Sequence, residues 1–217
     1  MTDQAFETMR QAMVASQLRT NAVSDPRVVA AMAQVPRERF VAENRRALAY
    51  VDIAVPLEGG RALSPPMVLG RLLTEAHPAA GDHALVVGAA TGYAAAVLSS
   101  LVSSVVALEE DGALAGWARE LLAGQTNVTI VEGPLAQGWA AAAPYDLILI
   151  DGAVEQLPSA LVEQLAPQGR LAAAIVERGV TRLAVGRRAG GDLAMAAFAD
   201  AAAPSLPGFE PAAGFRF

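Results

Sequence analysis

The sequence predicts a doubly wound α/β fold built on a mainly parallel sheet. From Gly81 onward, short apolar segments typical of strands alternate with segments of helical periodicity, which is the pattern of βαβ units. One of these strands runs into a turn between Gly88 and Gly92 and then into a helix. Near the end of the chain, Gly190-Gly191-Asp192 separates two apolar segments, which predicts a β-hairpin.

Helices are expected ahead of this pattern, because apolar residues recur there at helical spacing. Ser24 or Asp25 is expected to cap the second helix, with Pro26 at its first position, and Pro36 is expected to end it. Residues 37–66 have a mixed pattern and are predicted to form loops with short elements. The helices are expected at Phe6 to Leu18, from Pro26 to about Pro36, and at Met67 to Ala76.

The α/β core is expected to cover residues 81–217 and the helical extension residues 1–80, as one compact unit. The core strands are expected at Ala84 to Val87, Val105 to Leu108, Val128 to Val131, Leu147 to Ile150 and Leu171 to Ile175. The core helices are expected at Tyr93 to Leu101, Leu114 to Leu122, near Leu135 to Ala142, and at Ser159 to Leu165, before a hairpin of Arg182 to Arg188 and Leu193 to Phe198. Five parallel strands followed by a hairpin are typical of the methyltransferase version of this fold, whereas dinucleotide dehydrogenases have six parallel strands.

The composition favours a globular protein and argues against several classes. The chain has 217 residues, is 53% hydrophobic and carries a net charge of −6, which suits one α/β domain with an extension. Every basic residue is Arg and no run exceeds two, so we expect no nucleic-acid partner. Cysteine is absent, which excludes disulfides and thiolate chemistry and favours the cytoplasm.

Two local features could be mistaken for a membrane span and a metal site. Ala84 to Leu108 carries no charge over a length that could cross a bilayer, but Gly88 and Gly92 interrupt it. We therefore predict a strand, a turn, a helix and a second strand there, and no membrane partner. His77 and His83 have no third clustered His or Cys ligand, so a surface loop is favoured over a metal site.

The turn from Gly88 to Gly92 is the sharpest candidate site. Backbone N–H groups at the start of the following helix lack partners and the helix dipole is positive there, so a carboxylate-bearing ligand is favoured. Glycine permits close approach and positive φ. A tight turn without any ligand explains the same residues equally well. The candidates in this turn are Gly88, Ala90, Thr91, Gly92 and Tyr93.

Glu109 ends the next predicted strand, about 20 residues after Gly88. An acidic residue at this place commonly accepts hydrogen bonds from ribose hydroxyls, so the ligand is expected to be an adenosyl compound. Alternatively, Glu109, Glu110 and Asp111 form a solvated loop that stabilises the start of a helix.

Asp151 follows another predicted strand and either borders the same crevice or belongs to a turn with Gly152. NAD is the rival ligand, but it fits less well because Ala90 stands where the dinucleotide fingerprint has its middle glycine. A serine hydrolase is not indicated, since no Gly-x-Ser-x-Gly segment occurs.

Several further segments resemble protein-L-isoaspartate O-methyltransferases, in the same order along the chain. The resemblance covers about residues 9 to 185, and the VPRERFV and AYVD segments are its most specific parts. The matching segments are Met13 to Leu18, Asp25 to Val28, Ala31 to Met32, Val35 to Val41, Ala49 to Asp52, Thr91 to Leu98, Ala143 to Asp146, Pro158 to Leu161 and Gly169 to Leu171.

This resemblance implies methyl transfer from S-adenosylmethionine to the α-carboxylate of an L-isoaspartyl residue in a protein or peptide, which begins repair of the damaged protein. The extension would lie on the substrate side of the core. Ser64 matches the serine of the family's Thr-Ile-Ser-x-Pro segment and is the candidate for positioning the substrate, unless it caps the helix that begins after Pro65. Gly133, Pro134 and Leu135 match the segment that contacts adenine.

The chain departs from the family pattern at four places. Val87 replaces an acidic residue, Ala90 replaces the middle glycine, Gly133-Pro134-Leu135 replaces Gly-Asp-Gly, and Gly60-Arg61-Ala62 replaces Gly-Gln-Thr. Each lost polar contact is worth about 1–3 kcal/mol, so the loss of two is expected to weaken cofactor binding by roughly 10- to 10⁴-fold.

Three hypotheses therefore stand side by side: an isoaspartyl methyltransferase, a non-catalytic binding module on the same fold, and a methyltransferase with a small-molecule acceptor. The sequence does not fix the oligomeric state. Phe209, Phe215 and Phe217 could pack on the sheet or meet a partner.

Overall fold

The computed structural model describes residues 2–210, and the first part of the chain is helical as expected. Helix α1 (Asp3–Met13) continues into a π-helical turn, so the predicted first helix changes its hydrogen-bonding pattern in its last turns. Asp25 caps helix α2 (Pro26–Gln34) by accepting a 2.8 Å hydrogen bond from the N–H of Arg27. The cap and the proline are therefore as predicted.

Short elements connect α2 to the next helix. Two 3₁₀ turns, at Arg37–Phe40 and Glu43–Leu48, precede a small antiparallel ladder. The ladder consists of strands β1 (Val55–Pro56) and β2 (Ala62–Leu63), and helix α3 (Pro66–Ala76) follows it. The prediction of loops with short elements in this region is confirmed.

The rest of the chain alternates strands and helices and then ends in strands. The strands are β3 (His83–Val87), β4 (Ser104–Glu109), β5 (Val128–Glu132), β6 (Tyr145–Val154), β7 (Leu165–Glu177), β8 (Val180–Ala189) and β9 (Asp192–Asp200). The helices are α4 (Tyr93–Ser99), α5 (Gly112–Leu121) and α6 (Ser159–Glu163).

These strands form one seven-stranded sheet in the order β5-β4-β3-β6-β7-β8-β9. The first five in this order pair in parallel, while β8 and β9 pair antiparallel. The predicted fold, a mainly parallel doubly wound sheet with an N-terminal helical extension and a C-terminal hairpin, is confirmed. The uncharged segment that could be mistaken for a membrane span is β3, a turn, α4 and β4. Within residues 2–210 no helix has the length and apolar character needed to cross a membrane.

The sequence prediction was wrong about some boundaries. Strands β6 and β7 run well past the predicted apolar segments, because their pairing resumes beyond two register shifts, Tyr145/Leu147 and Leu149/Ala153, around Gly and Pro residues that carry no strand signal. The helix predicted near Leu135 to Ala142 is instead two 3₁₀ turns, Leu135–Gln137 and Ala140–Ala142.

Both faces of the sheet are covered by apolar side chains. Side chains alternate along a strand, so Val86 packs with the cluster that includes α3 and α4, while Val87 packs with the opposite cluster. On that second face, Leu206 and Phe209 are buried beside the sheet. They belong to residues 204–209, which we call the C-terminal strap. Phe209 thus packs on the sheet, whereas Phe215 and Phe217 lie outside the described residues.

Candidate functional site

The candidate site lies where β3, β4 and β6 end side by side. Strand β3 has β4 on one side and β6 on the other, so the order of the strands reverses at β3. Such a reversal opens a crevice at the carboxyl edge of an α/β sheet. Gly88 directly follows β3, Glu109 is the last residue of β4, and Asp151 lies in β6. The structure therefore brings these three predicted residues together.

The turn after β3 has the left-handed backbone that the glycine pattern predicted. Gly88 has φ +78°, Ala90 has φ +49° and Gly92 has φ +96°. A Cβ added to Gly92 would lie 2.8 Å from Cδ1 of Leu122, so both conformation and space require glycine there. Ala90 adopts the left-handed conformation despite its Cβ, and its substitution for glycine has left the shape of the turn intact.

Thr91 and Tyr93 connect the turn to the N-terminal extension. The Thr91 hydroxyl donates a 2.7 Å hydrogen bond to the carbonyl of Phe40, and the Tyr93 ring packs edge-on against the Phe40 ring at 5.5 Å. The Arg37 guanidinium lies 4.6 Å from the centre of the Tyr93 ring. The side chains of these two predicted cofactor residues therefore contact the extension.

Glu109 is completely buried and accepts four hydrogen bonds. Its Oε2 accepts from the N–H of Ala90 at 2.7 Å, and its Oε1 accepts from the N–H groups of Glu110 and Asp111 at 3.0 and 3.1 Å. The fourth donor is Nη1 of Arg61, at 2.5 Å. The alternative of a solvated Glu109 is therefore wrong, although Asp111 does cap α5 by accepting from Ala113 and Leu114.

Arg61 reaches Glu109 from the ladder of the extension. It follows the turn residues Gly59 and Gly60, whose φ angles are +62° and +73°, and its own side chain is almost fully buried. Its Nη2 also donates to the carbonyl of Gly88 at 3.3 Å. Sequence reasoning noted Arg61 only as a departure from the family pattern and did not place it at the site.

The C-terminal strap covers the other side of the crevice. The N–H of Leu206 donates to the carbonyl of Ala153 at 2.9 Å, and the N–H of Ala153 donates to the carbonyl of Pro204 at 2.7 Å. A Cβ added to Gly88 would lie 2.9 Å from Cδ2 of Leu206, and one added to Gly152 would lie 2.6 Å from its Cγ. Leu206 therefore rests directly on the backbone of both glycines.

In this conformation the residues of the crevice do not fit an adenosyl group at its predicted place. The oxygens of Glu109 are occupied by Arg61 and three backbone N–H groups, and Leu206 fills the space against Gly88. A ribose that hydrogen-bonded to Glu109 would have to take the position of the Arg61 guanidinium.

The predicted adenine segment lies beside Glu109. The N–H of Gly133 donates to the Glu109 carbonyl at 3.2 Å, and a Cβ added to Gly133 would lie 3.5 Å from the Trp139 ring. Pro134 is exposed and the side chain of Leu135 is buried in the core. The segment thus offers an aromatic and apolar surface where the family has an aspartate.

A second group of buried polar side chains lies beneath the crevice. Arg37 is fully buried and donates to the carbonyls of Ala49 at 2.7 Å and Ser64 at 2.5 Å. Among the described residues, Arg37 Nη1, the Ser64 hydroxyl and the Tyr93 hydroxyl find no hydrogen-bond partner. Burial raises the pKa of Asp151, and the charges of Arg37 and Arg61 oppose that rise.

Ser64 does not cap the helix that follows it. The cap position of α3 is Pro65, and the N–H of Met67 in its first turn donates a 2.9 Å hydrogen bond to Oδ1 of Asp52, so the capping alternative for Ser64 is wrong. Ser64 is instead a buried hydroxyl beside Asp151, available to a ligand.

The two histidines are structural. The prediction of a surface loop was wrong for His83, which is the first residue of β3. Its Nδ1 lies 2.7 Å from Ser104 Oγ, and its ring stacks on the Tyr145 ring at 4.9 Å between ring centres. His77 ends α3 with φ +48°. Among residues 2–210, no three acidic or His side chains form a group that could hold a metal ion.

An apolar groove opens next to Ser64. One side is formed by the loop after Tyr50 and the start of α3, and the other by residues that lead into the C-terminal strap. The groove is lined by Asp52, Ile53, Ala54, Pro65, Met67, Ala202, Ala203 and Pro204.

Comparisons with known proteins connect these features to one family. The model of the family described as protein-L-isoaspartate(D-aspartate) O-methyltransferase matches residues 8–201. A protein-L-isoaspartate O-methyltransferase 1 of Rhodopseudomonas palustris is 41% identical over 169 residues, which are 77% of this chain and 69% of the relative. A protein-L-isoaspartate O-methyltransferase of Methanoregula boonei is 38% identical over 183 residues, 83% of this chain and 84% of the relative.

Two solved structures share the fold. A protein-L-isoaspartate O-methyltransferase superposes with a TM-score of 0.80 and 22% identity, over 94% of this chain and 66% of that chain. A Plasmodium falciparum structure described as a beta-aspartate methyltransferase in complex with S-adenosyl-L-homocysteine superposes with a TM-score of 0.77 and 20% identity, over 93% of this chain and 97% of that chain. At these identities the likeness establishes the fold.

Proposed function

The chain belongs to the protein-L-isoaspartate(D-aspartate) O-methyltransferase family, and we propose that it methylates the α-carboxylate of L-isoaspartyl residues in damaged proteins and peptides, with S-adenosylmethionine as the methyl donor. The observation that carries this proposal is the family match over residues 8–201, which includes both the helical extension and the α/β core. The relatives at about 40% identity are named for this reaction.

The chemistry requires positioning more than proton transfer. An α-carboxylate ionises with a pKa of about 3.5, so it is already a competent nucleophile at neutral pH. What the enzyme must supply is alignment with the methyl group and exclusion of water. S-adenosylmethionine supplies the methyl group, and the residues proposed to hold it are Gly88, Ala90, Thr91, Gly92, Tyr93, Glu109, Gly133, Pro134, Leu135 and Asp151.

Ser64 is proposed to orient the acceptor. Its hydroxyl is buried, has no partner among the described residues, and can donate one hydrogen bond to a carboxylate oxygen. Its backbone is fixed by Arg37, which donates to its carbonyl. The apolar groove beside Pro65 is proposed to receive the peptide that carries the isoaspartyl residue. A cytoplasmic location, expected from the cysteine-free composition, stays a prediction.

The test is transfer of labelled methyl groups from S-adenosylmethionine to an isoaspartyl peptide. The matched control is the same peptide with ordinary aspartate, which differs only in its linkage. We expect labelling of the isoaspartyl peptide alone. Absence of labelling at millimolar cofactor would overturn the proposal, and equal labelling of both peptides would overturn the assigned acceptor.

A further inference from the structure

We propose that Arg61 and the C-terminal strap hold the cofactor crevice closed, so that S-adenosylmethionine binds only to a form in which both have moved. This inference rests on the proposed function, because it takes the crevice at Gly88 and Glu109 as the cofactor site. It concerns residues that the family pattern does not account for, since Arg61 is a departure from that pattern.

Arg61 takes the place that a ribose would need. Its Nη1 lies 2.5 Å from Oε1 of Glu109, in a pair whose side chains are 6% and 0% exposed. If the guanidinium leaves, Glu109 keeps the three backbone N–H groups of Ala90, Glu110 and Asp111. The carboxylate therefore stays partly satisfied while one position becomes free for hydroxyl donors. Ribose hydroxyls would replace the guanidinium.

The strap closes the crevice from the opposite side. Leu206 rests on the backbones of Gly88 and Gly152, while two backbone hydrogen bonds to Ala153 fix the strap to the end of β6. Phe209, 2% exposed, adds a second apolar anchor. A segment held by so few bonds can open locally at a much lower free energy than global unfolding requires.

The ladder that carries Arg61 closes the crevice at a third point. A Cβ added to Gly59 would lie 2.5 Å from Oδ2 of Asp111, the residue that caps α5. Gly59 and Gly60 themselves are exposed, so the turn that precedes Arg61 is free on its outer side. Arg61 can therefore reach solvent when the ladder shifts, without disturbing the sheet.

This arrangement predicts a measurable cost in cofactor affinity. When only a minor conformation can bind a ligand, the apparent Kd rises in inverse proportion to the population of that conformation. Minor states of proteins are commonly populated at about 0.1–10%, so closure raises the apparent Kd about 10- to 1,000-fold. Changes that weaken the closure should recover part of that affinity.

The experiment is calorimetric titration of the full chain with S-adenosylhomocysteine. Arg61→Gln removes the guanidinium from Glu109, and Leu206→Ala removes the side chain from Gly88. The matched controls are Arg27→Gln, which breaks an ion pair with Asp25 at the start of α2, and Leu161→Ala, which removes a leucine from the same apolar cluster as Leu206. If Leu206→Ala fails to fold, the affinity of Arg61→Gln for S-adenosylhomocysteine alone decides the outcome.

We expect each crevice variant to bind S-adenosylhomocysteine at least about tenfold more tightly than the wild type, and the controls to bind as the wild type does. Unchanged or weaker binding by Arg61→Gln would overturn the inference, because Arg61 would then be neutral or a cofactor ligand. The peptide assay decides the proposed function separately. Tighter cofactor binding by the variants without methylation of the peptide would support the closure and contradict the proposed function. Methylation of the peptide without tighter cofactor binding by the variants would support the proposed function and contradict the closure.

Discussion

The backbone N–H of Ala90 donates a 2.7 Å hydrogen bond to Oε2 of Glu109, although Ala90 has the left-handed φ of +49°. The bond joins the turn after β3 to the end of β4. This bond explains why the turn keeps its shape although alanine replaces the family's glycine. The buried carboxylate fixes the backbone of the turn, so Ala90 is held in the left-handed conformation despite its Cβ.

Ala90→Gly should therefore stabilise the fold. The left-handed conformation costs a residue with a Cβ about 1–2 kcal/mol, while glycine loses about 0.4–1 kcal/mol through the greater freedom of the unfolded chain. We expect the free energy of unfolding to rise by about 0.5–1 kcal/mol, measured by urea denaturation. The control is Ala89→Gly, a neighbouring buried alanine without positive φ, which should destabilise. Equal effects of the two substitutions would contradict the explanation.

Arg37→Lys should destabilise the fold. Arg37 bridges the carbonyls of Ala49 and Ser64 and stacks on Tyr93, and a lysine ammonium cannot bond to both carbonyls in the same geometry. One buried carbonyl left without a donor costs about 1–3 kcal/mol, which urea unfolding would measure. Arg39, exposed in the same 3₁₀ turn, provides the control Arg39→Lys, expected to change stability by less than about 0.5 kcal/mol. A loss of similar size in both variants would rule out the bridging role.

The fold was largely predictable because its signals are local. Strand β3 and the turn at Gly88 follow from an apolar segment and two glycines, and Glu109 follows from being the last residue of the next strand. The ends of β6 and β7 were missed for the opposite reason. Their pairing depends on neighbouring strands and resumes after a register shift at residues such as Pro167 and Gly169, which give no strand signal.

The site was predicted only in part. Gly88, Glu109 and Asp151 were expected to border one crevice and do lie together, but the residues that surround them come from distant parts of the chain. Arg61 pairs with a residue 48 positions away, and Leu206 belongs to the strap that follows β9. No periodicity links such residues. The sequence offered one signal, the replacement of Gly-Gln-Thr by Gly60-Arg61-Ala62. This replacement drew attention to Arg61 but did not show that Arg61 pairs with Glu109.

Ser64→Ala should reduce turnover and leave the fold intact. The Ser64 hydroxyl is buried and has no hydrogen-bond partner among the described residues, so its removal should leave the free energy of unfolding unchanged or raise it by up to about 1–3 kcal/mol. If the hydroxyl bonds to the acceptor during transfer, losing about 1–3 kcal/mol slows methylation roughly 5- to 150-fold. Steady-state kinetics with the isoaspartyl peptide would measure this. Ser103→Ala, at an exposed serine just before β4, is the control for the rate, and an unchanged rate in Ser64→Ala would remove Ser64 from the mechanism.

Asp151→Asn should change how stability depends on pH. Burial raises the pKa of Asp151, and the charges of Arg37 and Arg61 offset only part of the rise. The folded state therefore holds this proton more tightly than the unfolded state does. Its stabilising contribution is complete below the pKa of an unfolded aspartate, about 3.9, and is lost as pH rises through the folded pKa.

Asparagine stays neutral throughout, so Asp151→Asn should exceed the wild type in free energy of unfolding at neutral pH and converge with it towards about pH 4. Urea unfolding at several pH values between about 4 and 8 would follow the difference. Asp192→Asn, which removes one exposed carboxylate, is the comparison for the change in net charge. A variant less stable than the wild type by a constant amount at every pH would mean that Asp151 is held ionised by Arg37 and Arg61, and that burial does not dominate its pKa.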